Sequence, residues 1–127
     1  MSKPEPNVEQ HQTFIFDHVI TNFGGNYNRH SGIFTSPSQG VYVFSWTLLC
    51  HIEGYFYSEV VVNSDPVGAF HCNAKGATSV GHVTGVVVVE VNQGDIVYIR
   101  THPTLSINGG VYSSSYDCSS FTGWRLF

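Results

Sequence analysis

The chain has 127 residues, a formal net charge of −4 and few charged side chains (11%), against 14% aromatics and 13 glycines. That length holds one domain with one core, and low charge with many rings is the reverse of a disordered composition. The five lysines and arginines form no basic run, which excludes a phosphate-tracking nucleic-acid face and a patch for anionic lipid, and no stretch has the length of an apolar membrane-spanning helix.

Met1–Gln10 (MSKPEPNVEQ) is polar and contains proline. It lacks the apolar centre of a signal peptide, and residues 1–11 are expected to be a flexible tail. Gln12–Ile20 carries Phe14 and Phe16 two apart and reads as a strand. Thr21–Ser31 (TNFGGNYNRHS) reads as a loop rich in Asn and Gly. Gly32–Pro37 is an edge strand or a strand end, because proline cannot donate to a ladder. Val41–His51 follows, and in GVYVFSW (Gly40–Trp46) the rings Tyr42, Phe44 and Trp46 alternate, so one strand face carries all three. Gly54–Asn63 is a further strand, closed by a turn at Ser64–Asp65–Pro66. Val67–Asn73 is a short strand. Thr78–Val91 contains Val86–Val89, an unbroken apolar run expected to be buried on both faces. Asn92–Asp95 (NQGD) is a hairpin turn leading into Ile96–Thr101. His102–Gly110 is a loop, Ser113–Ser120 is polar, and Phe121–Phe127 closes the chain as a strand. Eight to ten short strands separated by turn signals, with no helix and no internal repeat, predict an all-β sandwich or jelly roll.

The motifs of the commoner active sites are missing: there is no GxSxG, GxGxxG, P-loop or HExxH. Seven histidines (His11, His18, His30, His51, His71, His82, His102) show no metal-ligand spacing. Serines 113–115, 119 and 120 have no partner of fixed geometry that would make one a nucleophile. The three cysteines, Cys50, Cys72 and Cys118, contain no CxxC, and an odd number leaves at least one thiol free or paired with another chain. Asp65 reads as a turn residue. The alternative is an oxygen ligand for calcium, with Asn73 nearby.

Phe16, Asn22, Tyr27, Phe34, Gly40, Tyr42, Phe44 and Trp46 fall at the spacing F-x5-N-x4-Y-x6-F-x5-G-x-Y-x-F-x-W. This resembles the signature of the complement C1q globular-head family, and so do NQGDIVYI (Asn92–Ile99) and the ending SFTGWRLF (Ser120–Phe127). The likeness runs from Gln12 to Phe127. The departures are Trp46 and Trp124, where the family usually has Phe or Tyr, and Phe, respectively. The resemblance implies a ten-stranded jelly-roll β-sandwich shared with tumour-necrosis-factor-like ligands, a C1q-like head over residues 12–127, and assembly as a homotrimer. The aromatic strand would then serve the sandwich interior and the trimer contact. There are no G-X-Y triplets for a collagen stalk.

The resemblance further implies a Cys50–Cys72 disulfide with Cys118 free, secretion, and recognition without catalysis. It makes calcium an optional cofactor, not a required one, near Asp65 and Asn73. The expected role is lectin-like binding of microbial surface glycans or lipopolysaccharide in innate immunity. The alternative is a secreted trimeric signalling ligand for a cell-surface receptor protein. Sugar-binding sites combine rings, amides and carboxylates. The candidates are therefore Asn26, Tyr27, Asn28 and Arg29, then His102 and Asn108, then Tyr116 and Asp117, each with turn formation as its ordinary role.

Overall fold

The computed structural model describes residues 1–127. Its strands are β1 (Tyr27–Asn28), β2 (Ile33–Thr35), β3 (Gly40–Cys50), β4 (Tyr55–Val62), β5 (Asp65–Asn73), β6 (Gly81–Val91), β7 (Ile96–Thr101), β8 (Val111–Tyr112) and β9 (Ser120–Arg125). They form two antiparallel sheets. One has the order β1-β2-β7-β4-β5; the other is built on β3, which pairs with β6 along one edge and with β8 and β9 along the other. The sheets face each other as a sandwich of the jelly-roll type.

Period-two alternation in β3 sets the interior. Tyr42, Phe44, Trp46 and Leu48 are all at most 3% exposed and point at the other sheet. Tyr42 and Phe44 stack with centroids 6.0 Å apart, and Phe34 of β2 meets both rings edge-on. Trp46 donates its indole N–H to Ser58 Oγ on β4 at 3.1 Å, so the one polar atom of a fully buried ring has a partner on the facing sheet. All three rings therefore belong to the sandwich interior. None faces outward to serve a subunit contact.

The Cys50–Cys72 disulfide is present, with Cα atoms 6.1 Å apart. It joins β3 of one sheet to β5 of the other and so clasps the sandwich at one end. At the opposite end, Asn63 and Ser64 both have positive φ (49° and 81°). They form the two-residue hairpin turn whose twist matches its strands, and Asp65 and Pro66 lie within β5 beyond it. The neighbouring Asn92–Asp95 turn is as expected, with Gly94 at φ 85°. The Asp95 carboxylate accepts from the Asn92 N–H and from Asn63 Nδ2, both at 2.7 Å. Those two hydrogen bonds hold the carboxyl below its ordinary range.

Four expectations are corrected. Val86–Val89 is not buried on both faces: Val86 and Val88 are 57% and 63% exposed while Val87 and Val89 pack inward, because nothing in the subunit covers the outer face of this sheet. Tyr27–Asn28, read as loop, is a short strand on β2. The strand expected at Gln12–Ile20 is reduced to a single bridge, Thr13 with Arg100. Residues 1–11 are not a detached tail. Glu5 pairs with Val111, the Met1 ammonium donates to Ser119 O at 3.0 Å, Ser113 donates to Met1 O, and Val8 is buried. Gly110 permits this approach, since a Cβ there would lie 1.8 Å from Glu5 O.

Candidate functional site

Three loops meet at the disulfide end: Ile52–Glu53, the β5–β6 loop, and the β7–β8 loop. Backbone hydrogen bonds lock them together. Glu53 N–H reaches Ala74 O (3.1 Å), Ala74 N–H reaches Gly54 O (2.8 Å), and Tyr55 and Asn108 exchange both bonds at 2.9–3.0 Å. Glu53 takes φ 67° to make the corner. Side chains complete the lattice. Asn108 Nδ2 donates to Glu53 O (3.1 Å), Glu53 Oε2 accepts from Gly76 N–H (3.0 Å), and Asn73 Oδ1 accepts from Lys75 N–H (3.0 Å). Lys75 Nζ sits 6.0 Å above the Tyr55 ring, the outer reach of a cation–π contact, and forms no ion pair.

Each of these groups keeps spare capacity. Glu53 Oε1, Asn73 Nδ2 and Asn108 Oδ1 have no partner in the chain, and Glu53, Asn73, Lys75 and Asn108 are all exposed. A half-exposed ring, a free cation, a carboxylate and two amides thus share one rigid apex. The donors and acceptors of a sugar's hydroxyls find complements in that set.

Of the eight candidates from sequence, only Asn108 belongs to this cluster. His102 follows β7. Its Nδ1 accepts from the N–H groups of Thr104 and Leu105, and its Nε2 lies 3.7 Å from Glu59 Oε1. Asn26–Arg29 lie on the β1–β2 hairpin at the edge of the five-stranded sheet. There Tyr27 serves the fold, since its hydroxyl bonds both N–H and C=O of Phe16, while Asn22 brackets its own backbone. Burial pushes the Tyr27 phenol above its ordinary value. Asn28 Oδ1 caps the turn at His30 and Ser31. Tyr116 and Asp117 occupy the β8–β9 loop, folded on Ser114, with Tyr116 fully in solvent. Glu53, Tyr55 and Lys75 were not legible as site residues, because only the fold brings their three segments together.

The proposed calcium pair does not form. Asp65 and Asn73 are the first and last residues of β5, about 26 Å apart at ~3.3 Å per residue. No three His, Cys, Asp or Glu side chains of the domain are placed to hold a metal ion. Among buried polar groups, Arg100 Nε donates to Glu59 Oε2 at 3.0 Å, both side chains being under 10% exposed. This cross-strand pair fastens β4 to β7 on the outer side of the five-stranded sheet.

The outer face of the other sheet is apolar across the Val88–Val43–Trp124 rung, with Ser45, Thr47, Thr84 and Thr122 further along. Val88, Val43 and Trp124 lie side by side across β6, β3 and β9, with Val86 one pair along. Trp124 is 50% exposed, and Leu126 and Phe127 beyond β9 are exposed as well.

These features define a class: a disulfide-clasped jelly-roll domain with an apolar sheet face and a polar loop apex. The family profile of the C1q domain matches residues 1–126, and the chain belongs to that family. Among curated proteins it is 32% identical over 117 residues to zebrafish (Danio rerio) Caprin-2, covering 91% of this chain and 12% of Caprin-2. It is 30% identical over 129 residues to one of the polypeptides of the bovine (Bos taurus) complement C1q subcomponent, covering 96% of this chain and 49% of that one. It is 31% identical over 113 residues to the mouse (Mus musculus) collagen alpha-1(X) chain, covering 87% and 16%. The chain thus spans half or less of the length of these relatives. In fold it matches the globular domain of zebrafish complement 1qA, with a TM-score of 0.66 at 19% identity over 98% of this chain and 94% of that one.

Proposed function

We propose that this C1q domain is a secreted, non-enzymatic recognition module. It forms a homotrimer through the apolar outer face of β6, β3 and β9, and it binds microbial surface glycans or lipopolysaccharide at the loop apex. The observation that carries the glycan reading is the convergence of Tyr55, Lys75, Glu53, Asn73 and Asn108, with unused donors and acceptors, on a frame held by backbone hydrogen bonds. Secretion is supported by the Cys50–Cys72 bridge, which persists in an oxidising compartment. Trimer formation is supported by an exposed patch that groups Val86, Val88 and Trp124 on one flat sheet, since patches of that kind mark interfaces.

The test is a glycan and lipopolysaccharide array probed with wild type, Lys75→Ala and Asn108→Ala, each with and without chelator. Wild-type binding that falls about 10-fold or more in the variants, at unchanged melting temperature, supports the apex. Loss of wild-type binding with chelator would restore a calcium role. Binding to no glycan, combined with saturable binding to a cell-surface protein, would overturn the glycan reading in favour of a signalling ligand.

A further inference from the structure

The polar surface of the apex continues past Tyr55. On β4, Phe56 and Ser58 are fully buried, so alternation places Tyr55 and Tyr57 on the outer face of the five-stranded sheet. Their cross-strand partners on β5 are Asn73 and His71, which share that face because Cys72 between them points inward to the disulfide. The Tyr57 and His71 rings stack with centroids 4.0 Å apart and planes within 6° of parallel. Rings that stack across two neighbouring strands stand on edge above the sheet, so the rim of the pair carries its polar atoms. The Tyr57 hydroxyl and both His71 ring nitrogens have no hydrogen-bond partner in the domain, and His71 is exposed. The pair lies two residues along from Tyr55 and Asn73, a step of about 7 Å.

We propose that the Tyr57–His71 pair is a second sugar subsite continuous with the apex, so that the ligand is an oligosaccharide of at least two units lying along β4 and β5 and not a single terminal sugar. This inference rests on the glycan reading of the apex and extends it. A sugar hydroxyl both donates and accepts, and so do a phenol and an imidazole with free polar atoms. Two stacked rings also give apolar width for the C–H groups of a pyranose, with a polar tip at the same place. The step between the two rows is of the order of one pyranose unit, so a unit held at Tyr55, Asn73 and Lys75 delivers the next one to Tyr57 and His71.

The strip ends after this second step. The next cross-strand pair is Glu59 with Ala69. Glu59 is 5% exposed and committed to Arg100 Nε at 3.0 Å, with His102 Nε2 at 3.7 Å. Ala69 is exposed but offers only a methyl group. His102 adds no contact, because its Nδ1 is taken by the N–H groups of Thr104 and Leu105. A third unit therefore meets no free polar group. Charge is divided in the same way. Lys75 and Glu53 stand at the apex, while the carboxylate nearest the ring pair, Glu59, is already paired. A charged substituent is answered only on the apex unit, and the unit at Tyr57–His71 is an uncharged, hydroxyl-bearing sugar.

The probes are galactose, mannose and N-acetylglucosamine, each as one, two and three linked units, titrated by NMR. The expected result is a series in which two units bind about 10-fold or more tighter than one, as two or three hydrogen bonds are gained, and a third unit adds less than about 2-fold. The ring resonances of Tyr57 and His71 should shift with two units and stay in place with one. His71→Ala, at an exposed side chain, should keep the melting temperature and the one-unit affinity and should reduce the two-unit affinity to nearly that of one unit. Lys75→Ala should weaken one and two units by the same factor. A merely structural role for His71 would weaken both lengths alike. Equal affinity for one and two units, an equal loss on both lengths in His71→Ala, or unmoved Tyr57 and His71 resonances overturns the second subsite, and if Lys75→Ala still weakens binding the apex reading stands without it. Binding by no member of any series overturns this inference and the glycan reading together.

Discussion

Replacing Val88 by aspartate should abolish the proposed trimer while leaving the subunit folded. In the free subunit the Val88 side chain is 63% exposed, and its removal from water on assembly is worth about 1 kcal/mol, taken from ~1.5–2 for a fully buried valine. Three copies lose about 3 kcal/mol together. Each aspartate also brings a carboxylate into an apolar contact beside Val43 and Trp124, and desolvation of an unpaired ion adds several kcal/mol. A total above about 6 kcal/mol lowers the trimer association constant by a factor of about 10⁴ or more, at 1.4 kcal/mol per tenfold. Within the subunit the change costs about 1 kcal/mol of strand propensity, so circular dichroism and a cooperative melt should persist. Val88→Thr keeps shape and β-branching and should lose far less. Sedimentation velocity at micromolar protein reads the outcome. A wild type that sediments as a monomer, or a Val88→Asp variant that keeps the wild-type mass, would refute the assignment of this face.

The disulfide closes a loop of sequence separation 22, and the chain-entropy relation gives about 3 kcal/mol for its removal. Cys50→Ala with Cys72→Ala should lower stability by that amount in urea titrations, and an unchanged midpoint would show that the β3–β5 clasp is energetically idle. Arg100→Met strands the buried Glu59 carboxylate and should cost about 3–5 kcal/mol, whereas the double change Glu59→Gln with Arg100→Met should recover much of it. Equal losses in the single and double variants would contradict that account. Asp95 has a folded pKa below its ordinary value, held there by Asn63 and Asn92. Its stabilising contribution is therefore present above about pH 4 and is lost as pH falls through the depressed value. Asp95→Asn should flatten the acid limb of the stability profile. A limb of unchanged steepness would mean that the tie between the two hairpin turns contributes nothing.

The sandwich was legible because its strongest signals are local. Alternation in Gly40–Trp46 and the turn chemistry of Asn92–Asp95 both act within a few residues, and the spacing from Phe16 to Trp46 records which rings share the interior. Where the reading failed, the deciding contact was remote. Val86–Val89 looked buried on both faces because four valines carry no alternation, and only the register against β3 shows which two point outward. The N-terminal residues looked loose because their anchors, Val111, Ser113 and Ser119, lie more than a hundred residues away. Asp65 and Asn73 looked like neighbours because a turn was placed between Asp65 and the strand, whereas both lie on β5 and extension separates them. The apex was half visible: Asn108 was marked, but Glu53, Tyr55 and Lys75 become neighbours only through the closure at Cys50–Cys72.

Strand alternation also divides labour within the domain. In β3 the even positions Tyr42, Phe44 and Trp46 are spent on the interior, and Val43 faces the outer patch, so neither face of that sheet is left for a ligand. Recognition at the strand ends would have a geometric consequence for the proposed trimer. Rotation about a threefold axis keeps every point at its own height, so the three apices present Tyr55, Lys75 and Asn108 at one end of the assembly. A repetitive surface can then be engaged by three sites at once, and such linkage raises overall binding by about 10²–10⁴ without any new contact. Val88→Asp separates the two effects, since it leaves the apex untouched. The monomeric variant should bind a soluble monovalent oligosaccharide as the wild type does, yet bind an immobilised repetitive glycan about 100-fold or more weakly in surface plasmon resonance. Equal loss on both ligands would mean that the glycan contacts lie across subunits, and equal retention on both would remove avidity from the mechanism.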